Sequence, residues 1–307
     1  MVKVFIDGSA GTTGLRIKDR LSQRQDISLL SLTEDVRKDP NARKDAICSA
    51  DVVFLCLPDD AAREAVALAG NQNVTIIDTS TAHRTAADWT YGFPELRGLR
   101  QKIQNSNRIA NPGCHASGFV ALVAPLVQEG ILSADTALTS FSLTGYSGGG
   151  KKMIAQYEDP QRDPLLKAPR QYALTQQHKH LKEMVHVCGL EHTPVFCPIV
   201  ADFYSGMEVT VPLFAKDVNA SIEQIKALYL DYYATGLVKY TDEADPDGLL
   251  SASALSGRDD MLVSVFGNED RILLTARFDN LGKGASGAAI QNMNIVLGLD
   301  EATGLNV

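Results

Sequence analysis

Four short apolar runs alternate with helical patterns over the first 80 residues. The runs are VKVFI (2–6), ISLLSL (27–32), DVVFLCL (51–57) and VTIIDTS (74–80). Helical patterns lie between them in GLRIKDRLSQ and in PDDAAREAVALAG, where Pro58 stands at the expected first helical position. Near-continuous apolar strands that alternate with helices predict a parallel sheet that is covered on both faces.

The pattern changes after about residue 135. TALTSFSLTG, GMEVTVPLF, MLVSVFG and RILLTARFDN are longer runs in which apolar and polar residues alternate, which is typical of a mixed or antiparallel sheet. A helical segment, ASGAAIQNMNIVLGL, follows near the end of the chain. These two patterns together predict an α/β protein of two domains.

A glycine-rich turn, GSAGTTG, follows the first apolar run and precedes a helix. Gly8, Gly11 and Gly14 permit a tight turn and a close approach of the backbone to a pyrophosphate at the helix N-terminus. The GxxGxxG spacing is a variant of the usual dinucleotide fingerprint. Its position inside a βαβ pattern favours a cofactor site over an ordinary loop.

The second apolar run leads into TEDVRKD, where a dinucleotide would place its adenosine ribose. Glu34 and Asp35 suit the ribose 2′-hydroxyl of NAD, since a carboxylate accepts its hydrogen bond. Thr33, Arg37 and Lys38 suit the 2′-phosphate of NADP instead. The residues alone leave this choice open, and a solvated charged loop is the alternative for each of them.

Charge and composition argue against several classes of partner. The chain has 307 residues and a formal net charge of −8, which disfavours nucleic acid and anionic membranes. No apolar stretch approaches the ~20 residues that span a bilayer. The odd number of cysteines, five, and a first strand that begins at once predict a cytoplasmic protein with reduced thiols and no signal peptide.

Cys114 stands in NPGCHASGF, behind a Pro–Gly turn and at the start of an apolar helical run that extends to Gly130. A thiol in this position meets unpaired backbone N–H groups and the positive end of the helix dipole. Both favour the thiolate, which is the nucleophilic form. The alternative is a small buried hydrophobic residue, as most free cysteines are.

Two of the six histidines are clustered, in QHKHLKEMVHVCG, a segment with an apolar stripe at helical spacing. His180 and Glu183 share a helix face, so the carboxylate can orient an imidazole. His178 lies near the helix start, from where its side chain can project into a cleft. Structural histidines and a metal site are the alternatives, but His-x-His with one glutamate offers too few ligands, so we expect no metal.

Two further segments are candidates for binding an anion. GYSGGGKK (145–152) joins a glycine stretch to lysines, and its backbone N–H groups suit a phosphate although it lacks the spacing of an ATP-binding loop. Arg84 follows the run VTIIDTS at the carboxyl edge of the predicted parallel sheet, where ligands collect. A mobile surface loop and an ordinary surface cation are the respective alternatives.

These features together suit one reaction type: a thiolate attacks an activated acyl group, phosphate leaves, and a hydride reduces the thioester. The motifs that point to a family are GSAGTTG, IIDTSTAHR, NPGCH, TGYSGGGKK, HKHLKEM and NLGKGASGAAIQNMN, in this order. With them the chain resembles, over essentially its whole length, the shorter N-acetyl-γ-glutamyl-phosphate reductases of arginine biosynthesis. It is more distantly similar to the aspartate-semialdehyde dehydrogenases.

The resemblance implies an NADPH-dependent reduction of N-acetyl-γ-glutamyl phosphate to N-acetylglutamate 5-semialdehyde through a cysteine thioester. Cys114 is then the nucleophile, and His178 is the first candidate for general acid–base catalysis. His180 is the second candidate, with Glu183 beside it. The residues implied for the substrate are Arg84, Asn111, Ser147, Gly148, Gly149 and Lys151. The residues implied for NADP(H) are Gly8, Ala10, Gly11, Thr12, Thr13, Gly14, Thr33, Arg37, Lys38, Cys56, Pro58, Ser80, Asn280, Lys283, Gly284 and Asn292.

The resemblance also implies a Rossmann-like dinucleotide-binding domain, residues 1–114 with 285–307, and an α+β catalytic and oligomerisation domain, residues 115–284. It implies a homodimer or homotetramer that acts on a small acyl-phosphate substrate. The sequence departs from the longer relatives where His115 replaces a tyrosine, TSTAHR replaces LSADFR, and YSGM (204–207) replaces an arginine–glycine pair. Without that arginine, Tyr204 and Ser205 can offer the substrate carboxylate only hydrogen bonds.

Three other functions stay open at this point. The first is reduction of a related acyl phosphate, of the aspartyl or aminoadipyl type. The second is a non-catalytic dinucleotide-binding sensor in which Cys114 only packs. The third is a cysteine hydrolase without a cofactor, against which the turn GSAGTTG counts.

Overall fold

The computed structural model describes residues 1–70 and 73–307, and its contacts divide the chain into two units. Unit 1 comprises Met1–Pro112 and Ala285–Leu305, and unit 2 comprises Gly113–Gly284 and Asn306–Val307. This division falls two residues before the boundary predicted at residue 114, because Cys114 begins a helix that packs within unit 2. The last two residues fall with unit 2, since the Asn306 N–H donates to Asp259.

Unit 1 contains a six-stranded sheet whose strand pairs are all parallel. The strands are β1 (Val2–Asp7), β2 (Ile27–Leu30), β3 (Val52–Leu55), β4 (Thr75–Asp78), β5 (Thr90–Tyr91) and β6 (Arg108–Ala110), in the spatial order β2-β1-β3-β4-β6-β5. The helices between them are α1 (Thr12–Leu21), α2 (Pro40–Ser49), α3 (Asp59–Ala69) and α4 (Leu99–Gln104). The four predicted strands are confirmed. Pro58 is the N-cap of α3 rather than its first residue.

Unit 2 contains a seven-stranded mixed sheet and begins with α5 (Cys114–Gln128). The elements that follow are β7 (Thr139–Gly145), α6 (Gly150–Glu158), β8 (Arg170–Gln171), α7 (His180–Cys188), β9 (Val195–Ala201), β10 (Met207–Phe214), α8 (Ile222–Tyr232), β11 (Val238–Tyr240), β12 (Met261–Gly267) and β13 (Arg271–Phe278). The spatial order is β11-β12-β13-β10-β7-β9-β8. The β7–β9 and β11–β12 pairs are parallel and the others antiparallel, so the predicted mixed sheet is confirmed.

The last helix of the chain, α9 (Gly287–Val296), belongs to unit 1 and completes the cover of its sheet. One apolar cluster joins Val4 and Ile6 of β1 to α1, α4 and α9, and a second joins Phe5 to α2 and α3. Successive residues of a strand point to opposite faces. Both faces of β1 are therefore buried, which explains why the strand reads as a continuous apolar run.

Helix α5 is buried along nearly its whole length although it contains Pro125. Proline has no N–H group, so the carbonyl of Ala121, one turn earlier, loses its helical donor. The hydroxyl of Tyr233 donates to that carbonyl at 2.6 Å, and Tyr233 is itself buried. The tyrosine thereby replaces the missing backbone hydrogen bond. Among the described helices, none has the length and apolar composition needed to cross a membrane.

We expect Tyr233→Phe to lower the free energy of unfolding by about 1–3 kcal/mol, because the buried Ala121 carbonyl then has no hydroxyl donor. Urea unfolding monitored by circular dichroism measures the change. In a Pro125→Ala background the restored N–H group can bond Ala121, so the same tyrosine substitution should cost much less. An equal cost in both backgrounds would show that Tyr233 does not act through the proline gap.

Candidate active site

The glycine-rich turn between β1 and α1 has no room for side chains at two positions. Gly8 has a φ of +87°, and a Cβ there would overlap the Cys56 carbonyl oxygen. A Cβ at Gly14 would lie 2.5 Å from the Gly8 carbonyl oxygen. Gly11 is the N-cap of α1 and supplies no side-chain hydrogen bond to the first N–H groups of that helix, an arrangement that a phosphate can complete. Cys56 is half-buried, and desolvation of its thiol by the surrounding protein raises the thiol pKa to about 12.

A cavity of about 340 Å³ opens beside this turn. The predicted cofactor residues in its lining are Gly8, Ala10, Arg37 and Lys38. Lys18 and Glu34 line it as well, and Arg37 Nε lies 2.8 Å from a Glu34 carboxylate oxygen. The cavity therefore combines a glycine turn with three cations and is suited to a nucleotide that carries phosphate groups.

The remaining predicted cofactor residues near this cavity lie outside its lining. Thr12 and Thr13 form the start of α1. The Thr33 hydroxyl donates to the exposed carboxylate of Asp35, and this hydrogen bond is the main cause that lowers the Asp35 pKa. Glu34 and Asp35, the two carboxylates that favoured NAD in the sequence, are thus each paired with a neighbour on the same loop.

Ser80 and the departure TSTAHR lie around a fully buried carboxylate, Asp78, at the end of β4. The Ser80 hydroxyl donates to Asp78 at 2.7 Å, and His83 Nδ1 lies 2.6 Å from the same carboxylate oxygen. The His83 ring stacks on Trp89 with 4.1 Å between ring centroids. These contacts hold the segment that leads to Arg84.

Arg84, predicted as an anion ligand, is buried and bonded to backbone carbonyls. Its Nε donates to the Asn111 carbonyl and its Nη2 to the Thr79 carbonyl, each at 2.9 Å. Asn111 begins the NPGC turn, so the guanidinium fixes the backbone just before the segment that carries Cys114. Its binding to substrate stays a prediction.

Asn111 and Asn292 form a buried pair within unit 1. The Asn292 Nδ2 donates to the Asn111 Oδ1 at 3.2 Å and to the Gly92 carbonyl at 2.9 Å. The Asn111 Nδ2 donates to the Ala285 carbonyl at 3.0 Å. These bonds tie the NPGC turn to the start of the C-terminal segment, and the predicted ligand roles of both asparagines stay untested by this geometry.

Cys114 is the first residue of α5 and is half-buried. The residue before it, Gly113, donates its N–H to Glu183 Oε1 at 2.8 Å, and Glu183 is only 1% exposed. Gly284 packs against Cys114, since a Cβ at Gly284 would lie 3.0 Å from the Cys114 Cβ. Unit 2 thus brings together three predicted residues, and the carboxylate that was expected to orient an imidazole also holds the cysteine turn.

The two predicted histidines lie together with a third, His115, which follows Cys114. Ring centroids are 4.7 Å apart for His178 and His180, and 5.6 Å from His115 to each of them. The His180 N–H donates to His178 Nδ1 at 3.2 Å. Burial, with a smaller effect of Lys179, lowers the His178 pKa to about 4, so this ring is neutral at pH 7. Over residues 1–70 and 73–307, no group of three or more metal-ligating side chains is arranged around one point.

Sequence reasoning treated His115 only as a departure and missed its partners. Its Nδ1 lies 2.6 Å from the Ser142 hydroxyl and its Nε2 lies 2.6 Å from the Tyr172 hydroxyl. Burial lowers the His115 pKa to about 3, so the ring is neutral. The one available signal was its place beside Cys114, because Ser142 and Tyr172 are distant in the chain.

The glycine stretch of GYSGGGKK forms a 3₁₀ turn (Tyr146–Gly149) that leads directly into α6. Ser147 is buried and its hydroxyl accepts from Asn280 Nδ2 at 3.1 Å, while Asn280 Oδ1 accepts from the Gly206 N–H at 2.9 Å. A Cβ at Gly148 would lie 3.4 Å from Asn280 Nδ2. Lys151 is exposed near the start of α6. A predicted substrate residue and a predicted cofactor residue are therefore hydrogen-bonded to each other.

The segment YSGM and the C-terminal motif meet at Asp279, which is fully buried. The Ser205 hydroxyl donates to Asp279 at 2.8 Å, and the Leu281 N–H donates to it at 2.6 Å. Tyr204 remains 41% exposed, whereas Lys283 is buried in the π-helical turn Gly282–Ser286. Of the two hydrogen-bonding residues considered for the substrate carboxylate, Ser205 is engaged internally and Tyr204 is open to solvent.

Comparison with known proteins places this site in a family. Residues 9–106 match the family described as semialdehyde dehydrogenase, NAD binding domain, and residues 114–280 match the semialdehyde dehydrogenase dimerisation domain. N-acetyl-gamma-glutamyl-phosphate reductase 2 of Nostoc sp. is 47% identical over 318 aligned positions, which cover 99% of each chain. The reductase of Rhizobium meliloti is 48% identical over 96% of this chain and 98% of its own. The chain belongs to the N-acetyl-γ-glutamyl-phosphate reductase family.

Membership of the reductase family confirms the resemblance read from the motifs. Solved structures of aspartate semialdehyde dehydrogenases share the fold: the type II enzyme of Vibrio cholerae superposes with a TM-score of 0.73 at 18% identity and covers 97% of this chain and 98% of its own. The enzyme of Candida albicans, solved with NADP, has a TM-score of 0.69 at 15% identity and the same coverage of both chains. The predicted fold class, a Rossmann-like part combined with an α+β part, is confirmed.

Proposed function

We propose that this chain reduces N-acetyl-γ-glutamyl phosphate to N-acetylglutamate 5-semialdehyde with NADPH, through a thioester on Cys114. The family relationship supports the substrate and the cofactor. The observation that carries the chemistry is the position of Cys114 at the start of α5, behind a turn that Glu183 holds and beside a cluster of three imidazoles. Burial keeps two of these rings, those of His115 and His178, neutral. The thiol can therefore act as the nucleophile while a neighbouring imidazole accepts or donates a proton.

The first half of the reaction forms the thioester. His180 accepts the proton of the Cys114 thiol, and the thiolate attacks the acyl carbon. The carbon–sulfur bond forms, the carbon–oxygen bond to the phosphate breaks, and phosphate leaves with the bonding electrons. The N–H groups at the start of α5 favour the thiolate.

The second half reduces the thioester. NADPH, when bound, supplies the hydride for this step. Because His178 Nδ1 accepts the His180 N–H, the neutral His178 ring carries its proton on Nε2. His178 therefore donates a hydrogen bond to the oxygen on which negative charge develops. Collapse of that species expels the Cys114 thiolate and releases the aldehyde.

The residues of the chain fit NADPH. The turn Gly8–Gly14 and the open start of α1 would receive the pyrophosphate, and Arg37 and Lys38, which line the cavity of unit 1, would pair with the 2′-phosphate. The other residues proposed for NADP(H) are Ala10, Thr12, Thr13, Thr33, Cys56, Pro58, Ser80, Asn280, Lys283, Gly284 and Asn292. The residues proposed for the substrate are Arg84, Asn111, Ser147, Gly148, Gly149 and Lys151.

We propose a homodimer or homotetramer, in the cytoplasm, formed through the sheet of unit 2. Phe141 on β7, Val195 on β9 and Leu273 on β13 are 42–53% exposed, although they lie in the interior of the strand order. Val209 on β10 points to the opposite, α5-covered face, where it lies close to Gly118. An open apolar face of this kind suits a second copy of the chain. The description of the matched dimerisation domain supports the same arrangement.

We expect phosphate-dependent reduction of NADP⁺ with N-acetylglutamate semialdehyde, and much slower reduction with aspartate semialdehyde. Cys114→Ser should abolish it while NADPH binding persists, because a serine hydroxyl is a poor nucleophile without a strong base. Cys197→Ser, at another half-buried cysteine of unit 2, is the matched control and should retain activity. Faster turnover of aspartate semialdehyde would contradict the proposed substrate.

NADPH should bind more tightly than NADH by on the order of 1–3 kcal/mol, the scale of a few charge-assisted hydrogen bonds. The double variant Arg37→Ala/Lys38→Ala should lose most of this difference, as measured by titration of each cofactor. Arg63→Ala, at an exposed arginine paired with Asp60 outside the cavity lining, removes one positive charge without removing the preference. A preference for NADH would contradict this assignment and would make Glu34 or Asp35 the ligand of the ribose 2′-hydroxyl.

The two histidines should separate in paired measurements. His178→Asn should lower kcat by about 10²–10³, the usual effect of removing one hydrogen-bond donor to a developing oxyanion. Since His178 is assigned to the developing oxyanion, the rate of Cys114 alkylation by iodoacetamide should change little. His180→Asn should slow that alkylation at neutral pH as well as turnover. The opposite pattern would exchange the two roles. A loss of kcat below tenfold in both variants would show that this segment has only a structural role.

A further inference from the structure

We propose that His115 is a positioning residue that ties the nucleophile helix to the segment carrying the histidines, through the hydroxyl of Tyr172. The proposal rests on the proposed function, since it concerns the same site. His115 follows Cys114 directly on α5 and is 4% exposed. Its sequence position and its burial do not explain why this residue is a histidine. Its two hydrogen bonds, one at each ring nitrogen, do explain it.

The His115 ring is held at both nitrogens. Nδ1 is joined to the hydroxyl of Ser142, which is fully buried on β7, and Nε2 is joined to the hydroxyl of Tyr172, which follows β8. A neutral imidazole has one donor and one acceptor nitrogen, and each hydroxyl can take either role. Both bonds therefore persist as long as the ring is neutral, and burial keeps the His115 pKa near 3.

The ring held in this way contacts the two histidines of the proposed mechanism. Its centroid lies 5.6 Å from the centroids of His178 and His180 and 5.3 Å from that of Phe196. Tyr172 also lies edge-on to His178, at 6.1 Å. A ring fixed at two atoms cannot turn, so it offers a constant surface to both neighbouring imidazoles.

The segment between Tyr172 and His178 needs such fixed points. Ala173 and Gln176 have φ values of +53° and +57°, in the left-handed region that non-glycine residues rarely adopt. The Gln176 side-chain amide exchanges two hydrogen bonds of 2.8 Å with the backbone of Phe196. The strained segment is thus anchored to β9 at one point and, through Tyr172, to His115 at another.

Loss of the Tyr172–His115 bond should therefore misplace the imidazoles without removing a group that touches substrate. We expect Tyr172→Phe and His115→Asn to lower kcat about tenfold or more, with little change in KM, since small misplacements are costly in this way. His115→Gln should retain more activity than His115→Asn. The glutamine amide reaches the position of Nε2 beside Tyr172, whereas the asparagine amide reaches only that of Nδ1.

The double variant Tyr172→Phe/His115→Asn should be no slower than the worse single variant, because both changes remove the same bond. Tyr233→Phe is the matched control. It also removes a hydrogen bond from a buried tyrosine hydroxyl to α5, but this bond is to Ala121, further along the helix. It should lower stability and leave kcat unchanged. Thermal unfolding of every variant separates stability from positioning.

The rate of Cys114 alkylation by iodoacetamide provides a second measurement that needs no substrate. It should fall in Tyr172→Phe and His115→Asn, and stay near the wild-type rate in His115→Gln and Tyr233→Phe. Wild-type kcat and alkylation in Tyr172→Phe would overturn the proposal, and so would equal losses in His115→Gln and His115→Asn. The expected alkylation pattern in a protein that does not reduce the proposed substrate would count against the proposed function alone.

Discussion

The hydrogen bond from the Gly113 N–H to the buried Glu183 carboxylate is the constraint on which the site depends. A carboxylate so deeply buried must be compensated by donors, which makes its contacts costly to break. Glu183 lies in the first turn of α7, close to His180, and Gly113 directly precedes Cys114. One bond thus fixes the helix start that carries Cys114 relative to α7, the helix that carries His180.

The surroundings of this bond are arranged to keep it rigid. Asp279 accepts from the Ser205 hydroxyl and the Leu281 N–H and holds the loop that brings Gly284 against Cys114. Rigid support of this kind suits the role proposed for Cys114, because catalysis depends on positions held to fractions of an ångström.

The fold was predictable where the hydrophobic pattern of a segment, or a backbone conformation that only glycine adopts, decides the local structure. The doubly buried strands of unit 1 read as continuous apolar runs, and Gly8 marks a turn that only glycine can make.

Helix α2 was not predicted, since its apolar residues are few and weakly periodic. The partners of His115 were not predictable either, because Ser142 and Tyr172 meet it only through the order of strands in the sheet. Arg84 reads as an anion ligand, but the fold first uses it to hold backbone carbonyls.

In the proposed reaction the acyl group passes through a covalent bond to Cys114. The direct measurement mixes the protein with N-acetyl-γ-glutamyl phosphate without NADPH, stops the reaction with acid, and maps the modified peptide by mass spectrometry. We expect an N-acetylglutamyl group on Cys114, release of an equal amount of phosphate, and loss of the adduct when NADPH is added. A protein that turns the substrate over with NADPH but never carries the acyl group on Cys114 would contradict it.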